Sequence, residues 1–145
     1  MNILMGIGNE INGDDAAGVF IAKRFSAKGW KSINCETVPE NFLGVIKREK
    51  PELLVLVDAT EMELEPGEIR LISKNRLNSE VDSTHSLSLH FLVSELEKHA
   101  GKILFIGIQP ESMETGEEMS PAVASSAGKL LKILQKAGFS GIKTL

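Results

Sequence analysis

Near its start the chain carries a glycine-rich, acidic segment that reads Gly6-Ile7-Gly8-Asn9-Glu10-Ile11-Asn12-Gly13-Asp14-Asp15-Ala16-Ala17-Gly18. The segment follows the apolar run Ile3-Leu4-Met5 and precedes an apolar-periodic stretch that begins at Ala16. These neighbours place it between a first strand and a first helix. Gly8 allows the backbone to turn sharply or to lie close to a bound group.

Two adjacent carboxylates, Asp14 and Asp15, stand where the first helix is expected to begin. One aspartate is enough to cap the orphan N–H groups of a helix and to suit its dipole. The other is then available for a metal or a reacting group. We therefore predict a functional loop here, a substrate loop that includes Gly8, Asn9 and Asp14.

The composition excludes several functional classes. The 145 residues are expected to form one domain, 1–145, with a net charge of -4 and no basic stripe that would neutralise phosphates. Six Phe, one Trp and no Tyr leave little for base stacking, so no nucleic-acid partner is expected. The lone Cys35 cannot form an intrachain disulfide and is expected in the core of a strand.

No apolar stretch approaches the roughly 20 residues of a membrane span. No pattern typical of a signal peptide is seen at the start of the sequence. We therefore expect a soluble, cytoplasmic protein without a membrane partner.

Apolar runs alternate with amphipathic segments along the chain. Strands are predicted at residues 2–7, 32–38, 53–57, 68–72 and 103–108, and helices at 15–28, 42–49, 86–99 and 121–137. This alternation predicts an α/β fold, a three-layer sandwich with a mostly parallel twisted sheet of about five strands and helices on both faces. The run 53–57 is expected near the sheet centre, and Pro66-Gly67 favours a hairpin-like antiparallel step into the fourth strand.

Ligands of such sheets bind beyond the carboxyl ends of the strands. Asp15 follows the first strand and Asp58 ends the third, so both carboxylates are expected at that edge. If the fourth strand runs antiparallel, the polar segment 73–84 returns the chain to the same edge and brings His85 beside them. Each residue also has a structural interpretation, with Asp58 capping the next turn and His85 on the surface near a helix start.

One histidine and two carboxylates would accept a divalent ion such as nickel or zinc and leave coordination positions open. His90 and His99 are instead expected to be solvated. The sequence contains no G-x-S-x-G or H-E-x-x-H pattern. The glycines of the first loop lack the third glycine of a Rossmann fingerprint, and Glu10 would oppose a pyrophosphate.

Several motifs, in order and over nearly the whole chain, resemble the [NiFe]-hydrogenase maturation endopeptidases, and most closely the branch for hydrogenase-3-type enzymes. The motifs are Gly6-Ile7-Gly8-Asn9, Gly13-Asp14-Asp15-Ala16-Ala17-Gly18, Val57-Asp58-Ala59, Leu64-Glu65-Pro66-Gly67-Glu68, Ser83-Thr84-His85 and Gly107-Ile108-Gln109-Pro110.

The resemblance implies an activity, a partner and a metal. Family members, classified as aspartic-type peptidases, remove a C-terminal extension from the hydrogenase large-subunit precursor after nickel insertion. Their nickel-recognising residues match Asp15, Asp58 and His85, and Asp14 is then a helix cap or a residue that supports the site. The substrate supplies the nickel, so the free enzyme can be metal-free.

Hydrolysis could use a metal-polarised carbonyl or activated water, or general-base attack of water by Asp15 or Asp58. The polar segments 73–84 and 109–119 are candidates for holding the tail of the precursor.

Three other functions remain open at this point. A peptidyl-tRNA hydrolase shares this type of first loop, but it would need a histidine soon after that loop and a basic surface. A nickel-binding assembly factor could use Asp15, Asp58 and His85 without cleaving anything. A nucleotide-binding module is disfavoured by the acidic loop.

Overall fold

The computed structural model of the protein describes residues 1–77 and 88–145. Within these residues, one sheet contains β1 (Asn2–Ile7), β2 (Trp30–Glu36), β3 (Leu53–Ala59), β4 (Ile69–Ile72) and β5 (Lys102–Ile108). The α-helices are α1 (Ala17–Arg24), α2 (Leu43–Glu49), α3 (Leu89–Leu96) and α4 (Pro121–Gln135). Short 3-10 turns lie at Gly13–Ala16, Pro39–Phe42, Lys74–Arg76 and Phe139–Gly141.

The strands are arranged in the order β2-β1-β3-β5-β4. β1 runs parallel to β2 and β3, and β3 runs parallel to β5, whereas β4 is antiparallel to β5 at the sheet edge. The central position predicted for residues 53–57 is confirmed, because β3 has strands on both sides and residues 54–57 are fully buried.

The hairpin predicted between β3 and β4 is wrong. The direction of β4 is antiparallel as expected, but its partner is β5, which lies between β3 and β4. β5 buries Phe105, Ile106 and Ile108 and so belongs beside β3 in the interior of the sheet. β4 buries only one of its four residues, as suits an edge strand.

Helices cover both faces of the sheet, which confirms the three-layer α/β sandwich. Alternate side chains of each strand point to opposite faces. On one face, Leu54 and Leu56 of β3 belong to a core that includes Ile46 of α2 and Leu92 of α3. On the other face, the core contains Val55 and Val57 of β3, Ile21 of α1 and four residues of α4: Val123, Ala127, Leu130 and Leu134.

The ends of several elements differ from the prediction. α1 ends at Arg24 rather than Lys28, because Phe25 adopts an extended conformation and packs edge-on against Trp30, with 5.2 Å between ring centroids. β2 runs from Trp30 to Glu36 rather than over 32–38, and Glu36, with φ 51°, ends it in a left-handed conformation.

α3 ends at Leu96 rather than at His99, and residues 86 and 87 of the predicted helix lie outside the described residues. α4 ends at Gln135, two residues before the predicted end. The tail pairs in parallel with the edge of the sheet at a bridge between Leu71 and Thr144, and Ile142 is buried in the core. Among the described helices, none has the length and apolar content of a membrane span.

Candidate functional site

The first loop turns back on itself between β1 and α1. Gly8 has φ 148°, and a Cβ atom at this position would overlap the carbonyl oxygen of Asp15. A side chain is therefore excluded. The backbone N–H of Asn9 donates to the Asp15 carbonyl oxygen and to its Oδ2, both at 3.1 Å. The predicted loop residues Gly8 and Asn9 thus lie directly against Asp15.

Asp15 and Asp58 lie at the same edge of the sheet. Asp15 belongs to the 3-10 turn that enters α1, and Asp58 is the penultimate residue of β3. Gly18, one turn after Asp15, packs so closely on β3 that a Cβ atom would stand 2.5 Å from the carbonyl oxygen of Val57. Each aspartate is only 2 % exposed. The structure therefore places both carboxylates at one edge, as the sequence predicts, and shows in addition that both are buried.

Asp14 binds a distant loop rather than its own helix. Its Oδ1 accepts from the Ser120 backbone N–H at 2.6 Å, and its Oδ2 accepts from the Ser120 hydroxyl at 3.0 Å. Oδ2 also accepts from the backbone N–H groups of Glu111 at 2.8 Å and Ser112 at 3.2 Å. Ser120 is in turn the N-cap of α4, since its hydroxyl accepts from Val123 N–H. Asp14 therefore fixes the segment between β5 and α4.

Further bonds join this segment, residues 109–120, to the first loop. Gly13 N–H donates to the Glu117 carbonyl oxygen at 3.1 Å, and Gly116 N–H donates to that of Ile11 at 2.7 Å. The predicted tail-holding segment 109–119 thus adjoins the loop that carries Asp15. Whether it binds substrate stays a prediction.

Gln109, the first residue of the predicted tail-holding segment, is a buried residue of this edge that was not among the individual site residues predicted. It directly follows β5 and is 3 % exposed. Its side-chain oxygen accepts hydrogen bonds from two backbone N–H groups of the loop after β3. The signal available in the sequence was its position, because it follows a buried strand just as Asp58 ends one.

His85, the third predicted metal ligand, lies outside the described residues, as do residues 78–84 of the predicted loop. In the part of the chain that the structure describes, no cluster of three or more metal-ligating side chains occurs. The pairing of His85 with Asp15 and Asp58 therefore stays a prediction.

His90 differs from its expected solvated state. It is half-buried, and its Nδ1 lies 3.0 Å from the carbonyl oxygen of Lys74. Since a carbonyl oxygen only accepts, Nδ1 carries the proton of this hydrogen bond. His99 is also half-buried and follows the end of α3.

A cavity of about 200 Å³ opens beside the first loop. It is lined by Gly8, Asn9, Glu10, Ile11, Glu36 and Thr37. Since Gly8 and Asn9 also contact Asp15, the cavity adjoins one of the two buried carboxylates. Asp15 itself does not line the cavity, which lies on the outer side of the loop residues that contact it.

Comparison with protein families and sequences identifies relatives of this chain. Residues 20–137 match a family described as hydrogenase maturation protease. The chain is 38% identical over 114 residues to the hydrogenase 3 maturation protease of Escherichia coli K12, an alignment that covers 76% of this chain and 73% of that protein.

Solved structures agree with this result. A crystal structure of a hydrogenase 3 maturation protease aligns with a TM-score of 0.91 and 29% identity, covering 100% of this chain and 96% of the other. The [NiFe] hydrogenase maturation protease HycI from Thermococcus kodakarensis aligns with a TM-score of 0.83 and 34% identity, covering 93% and 90%.

Proposed function

The chain belongs to the hydrogenase maturation protease family, and from this premise we propose that it removes the C-terminal extension of a [NiFe]-hydrogenase large-subunit precursor after nickel insertion. The observation that carries the proposal is the pair of buried carboxylates, Asp15 and Asp58, at one sheet edge. In this proposal the nickel belongs to the substrate, and the protein recognises it there.

Asp15, Asp58 and His85 complete the coordination of the substrate's nickel in this proposal. Carboxylate oxygens and an imidazole nitrogen are suitable ligands for such an ion. Binding the ion places the adjacent peptide bond of the precursor at the same carboxylates. Cleavage then reports that nickel insertion is complete, because a precursor without nickel lacks the group that positions the bond.

The aspartates carry the hydrolytic chemistry, which makes the proposed enzyme an aspartic-type peptidase. A carboxylate within reach of a water molecule can take its proton as the water attacks the peptide carbonyl, and such general-base catalysis contributes about 10²- to 10⁴-fold in rate. The reaction is proposed for the cytoplasm, since the lone Cys35 suits a reducing compartment.

Intact mass of the nickel-loaded precursor, measured after incubation with the protein, tests this proposal. Wild type should release a C-terminal peptide, whereas Asp15→Asn, Asp58→Asn and His85→Ala should cleave at least about 10²-fold more slowly. Glu52→Gln is the matched control, because Glu52 precedes β3 at the opposite edge and is highly exposed.

Full cleavage by the three site variants would contradict the site assignment. A precursor that binds the wild type but keeps its mass would contradict the peptidase and would favour a nickel-binding assembly factor.

A further inference from the structure

We propose that Gln109 is a positioning residue for precursor binding, because it holds the loop that follows Asp58, residues 60–64, in one conformation. The inference rests on the proposed function. It concerns a side chain that acts through the loop and not on the reacting bond.

The side-chain amide of Gln109 is fully used. Its Oε1 accepts from the backbone N–H groups of Met62 at 2.7 Å and Leu64 at 3.2 Å. Its Nε2 donates to Glu61 Oε2 at 2.9 Å and to the Pro110 carbonyl oxygen at 3.1 Å. An amide offers one acceptor oxygen with two lone pairs and two N–H donors. Three of the four side-chain hydrogen bonds of Gln109 therefore go to loop 60–64, and the fourth goes to the adjacent Pro110.

The backbone of Gln109 holds the far end of the same connection. Its N–H donates to the Glu68 carbonyl oxygen, and its carbonyl oxygen accepts from Gly67 N–H, both at 2.8 Å. Because Gln109 is buried, leaving these groups unpaired would be costly. Gln109 therefore forms hydrogen bonds with both halves of the connection between β3 and β4.

Loop 60–64 is attached directly to the strand end that carries Asp58. Thr60 N–H donates to the Ile108 carbonyl oxygen at 2.9 Å, and its hydroxyl donates to the Asp58 carbonyl oxygen at 3.3 Å. Glu63, with φ 58°, adopts a left-handed conformation that a non-glycine residue rarely occupies. Such a conformation persists when the surroundings impose it, and the bonds from Met62 and Leu64 to Gln109 flank it.

These contacts hold loop 60–64 in one conformation beside Asp58. A loop that is already ordered lowers the entropic cost of binding, so loss of this order weakens binding of the precursor. We expect a rise in KM as the main effect, with a smaller change in kcat. A purely structural role for Gln109 would instead lower the amount of folded enzyme and leave KM unchanged.

Two substitutions that exchange the side chains of Gln109 and Glu61, tested singly and together, test the inference. In Gln109→Glu, an oxygen replaces Nε2 and faces the Glu61 carboxylate, so the loop should detach and KM for the nickel-loaded precursor should rise about tenfold or more. Adding Glu61→Gln restores one amide and one carboxylate at this contact and should recover most of the rise. Glu61→Gln alone should raise KM less than Gln109→Glu, since its amide can keep an oxygen toward Nε2 and loses only the exposed hydrogen bond from Glu63 N–H.

A second, uncharged variant keeps the inference testable if Gln109→Glu does not fold. Gln109→Asn keeps an amide but is one methylene shorter, so it withdraws from Met62 and Leu64 and should raise KM without introducing charge. An unchanged KM in both Gln109 variants, with wild-type cleavage intact, would overturn the inference alone. A raised KM that the Glu61→Gln exchange leaves uncorrected would also overturn it. Absence of cleavage by the wild type would overturn the proposed function as well.

Discussion

Asp14 shows how much one carboxylate can organise. Its two oxygens accept four hydrogen bonds, from Glu111, Ser112 and twice from Ser120. All four partners are donors, so the site requires a side chain with acceptors only. A carboxylate meets this requirement, and an amide of the same shape does not.

We expect Asp14→Asn to loosen the segment 109–120. The amide N–H₂ would face N–H and hydroxyl donors, and each donor that loses its partner costs about 1–3 kcal/mol. Denaturant unfolding should show this loss, and amide exchange should rise at Ser112 and Ser120. Glu111→Gln is a suitable control, because Glu111 contributes only its backbone N–H to the contact with Asp14. Wild-type exchange rates in Asp14→Asn would contradict this role.

Cys35 is predicted from the sequence to be a core residue, and it is 1 % exposed in β2. Burial, with a smaller contribution from the nearby Glu40 carboxylate, raises the pKa of its thiol from 9.0 to about 12. The folded protein therefore holds this proton over a pH range in which the unfolded chain releases it.

The free energy of unfolding should consequently fall as pH rises from 9 to about 12, with a contribution from Cys35 of at most about 1.4 kcal/mol per pH unit. Stability at neutral pH is unaffected by this group, because the thiol is protonated in both states. Comparing the pH dependence of urea unfolding for wild type and Cys35→Ala isolates the effect. Identical slopes above pH 9 would contradict the raised pKa.

At the scale of elements, the sequence predicts those strands whose ranges depend on an apolar run and on the residues that end it. β1 matches its predicted range, Asn2–Ile7, because a continuous apolar run ends at a glycine turn. β4 was assigned the wrong partner, because its place depends on β5, which follows it in the chain. The contacts of Gln109 with loop 60–64 span up to 48 positions, and no local pattern encodes such a contact.

The packing of α1 depends on Gly18. A Cβ atom there would overlap the carbonyl oxygen of Ile7 and approach that of Val57. Gly18→Ala should therefore push α1 from the sheet and destabilise the protein by about 1–3 kcal/mol. Because Asp15 lies one turn earlier, cleavage should fall as well.

Gly128→Ala in α4 is the matched control. Apart from its chain neighbours and the adjacent backbone of α4 itself, no atom lies within 4 Å of the Cβ position, and alanine favours a helix interior. This variant should be as stable as wild type or more so. Thermal unfolding distinguishes the two variants, and equal effects would contradict close packing at Gly18.

At the scale of the molecule, one sheet separates two cores. Leu56 lies in the core with α2 and α3, and Leu130 lies in the core with α1 and α4. Leu56→Ala and Leu130→Ala should each cost about 2–5 kcal/mol. Since the two side chains share no core, the double variant should equal their sum within about 0.5 kcal/mol.

Both cores contain side chains of β3, so unfolding should remain a single transition. Denaturant titrations followed by circular dichroism and by Trp30 fluorescence should coincide. Two separate transitions would show that the two layers fold independently.

Asp15 and Asp58, to which the proposed function is assigned, lie at the sheet edge where the sequence predicted them. Asp14 and Gln109 form hydrogen bonds at this edge with partners distant in sequence, and such contacts can be found only from the folded chain. The contribution of His85 stays a prediction.

The most direct measurement compares intact masses of nickel-loaded and nickel-free hydrogenase large-subunit precursor after incubation with the wild-type protein. We expect loss of a C-terminal peptide from the nickel-loaded precursor and an unchanged mass for the nickel-free one. Equal cleavage of both precursors would contradict recognition of nickel at Asp15, Asp58 and His85. An unchanged mass in both would contradict the proposed peptidase.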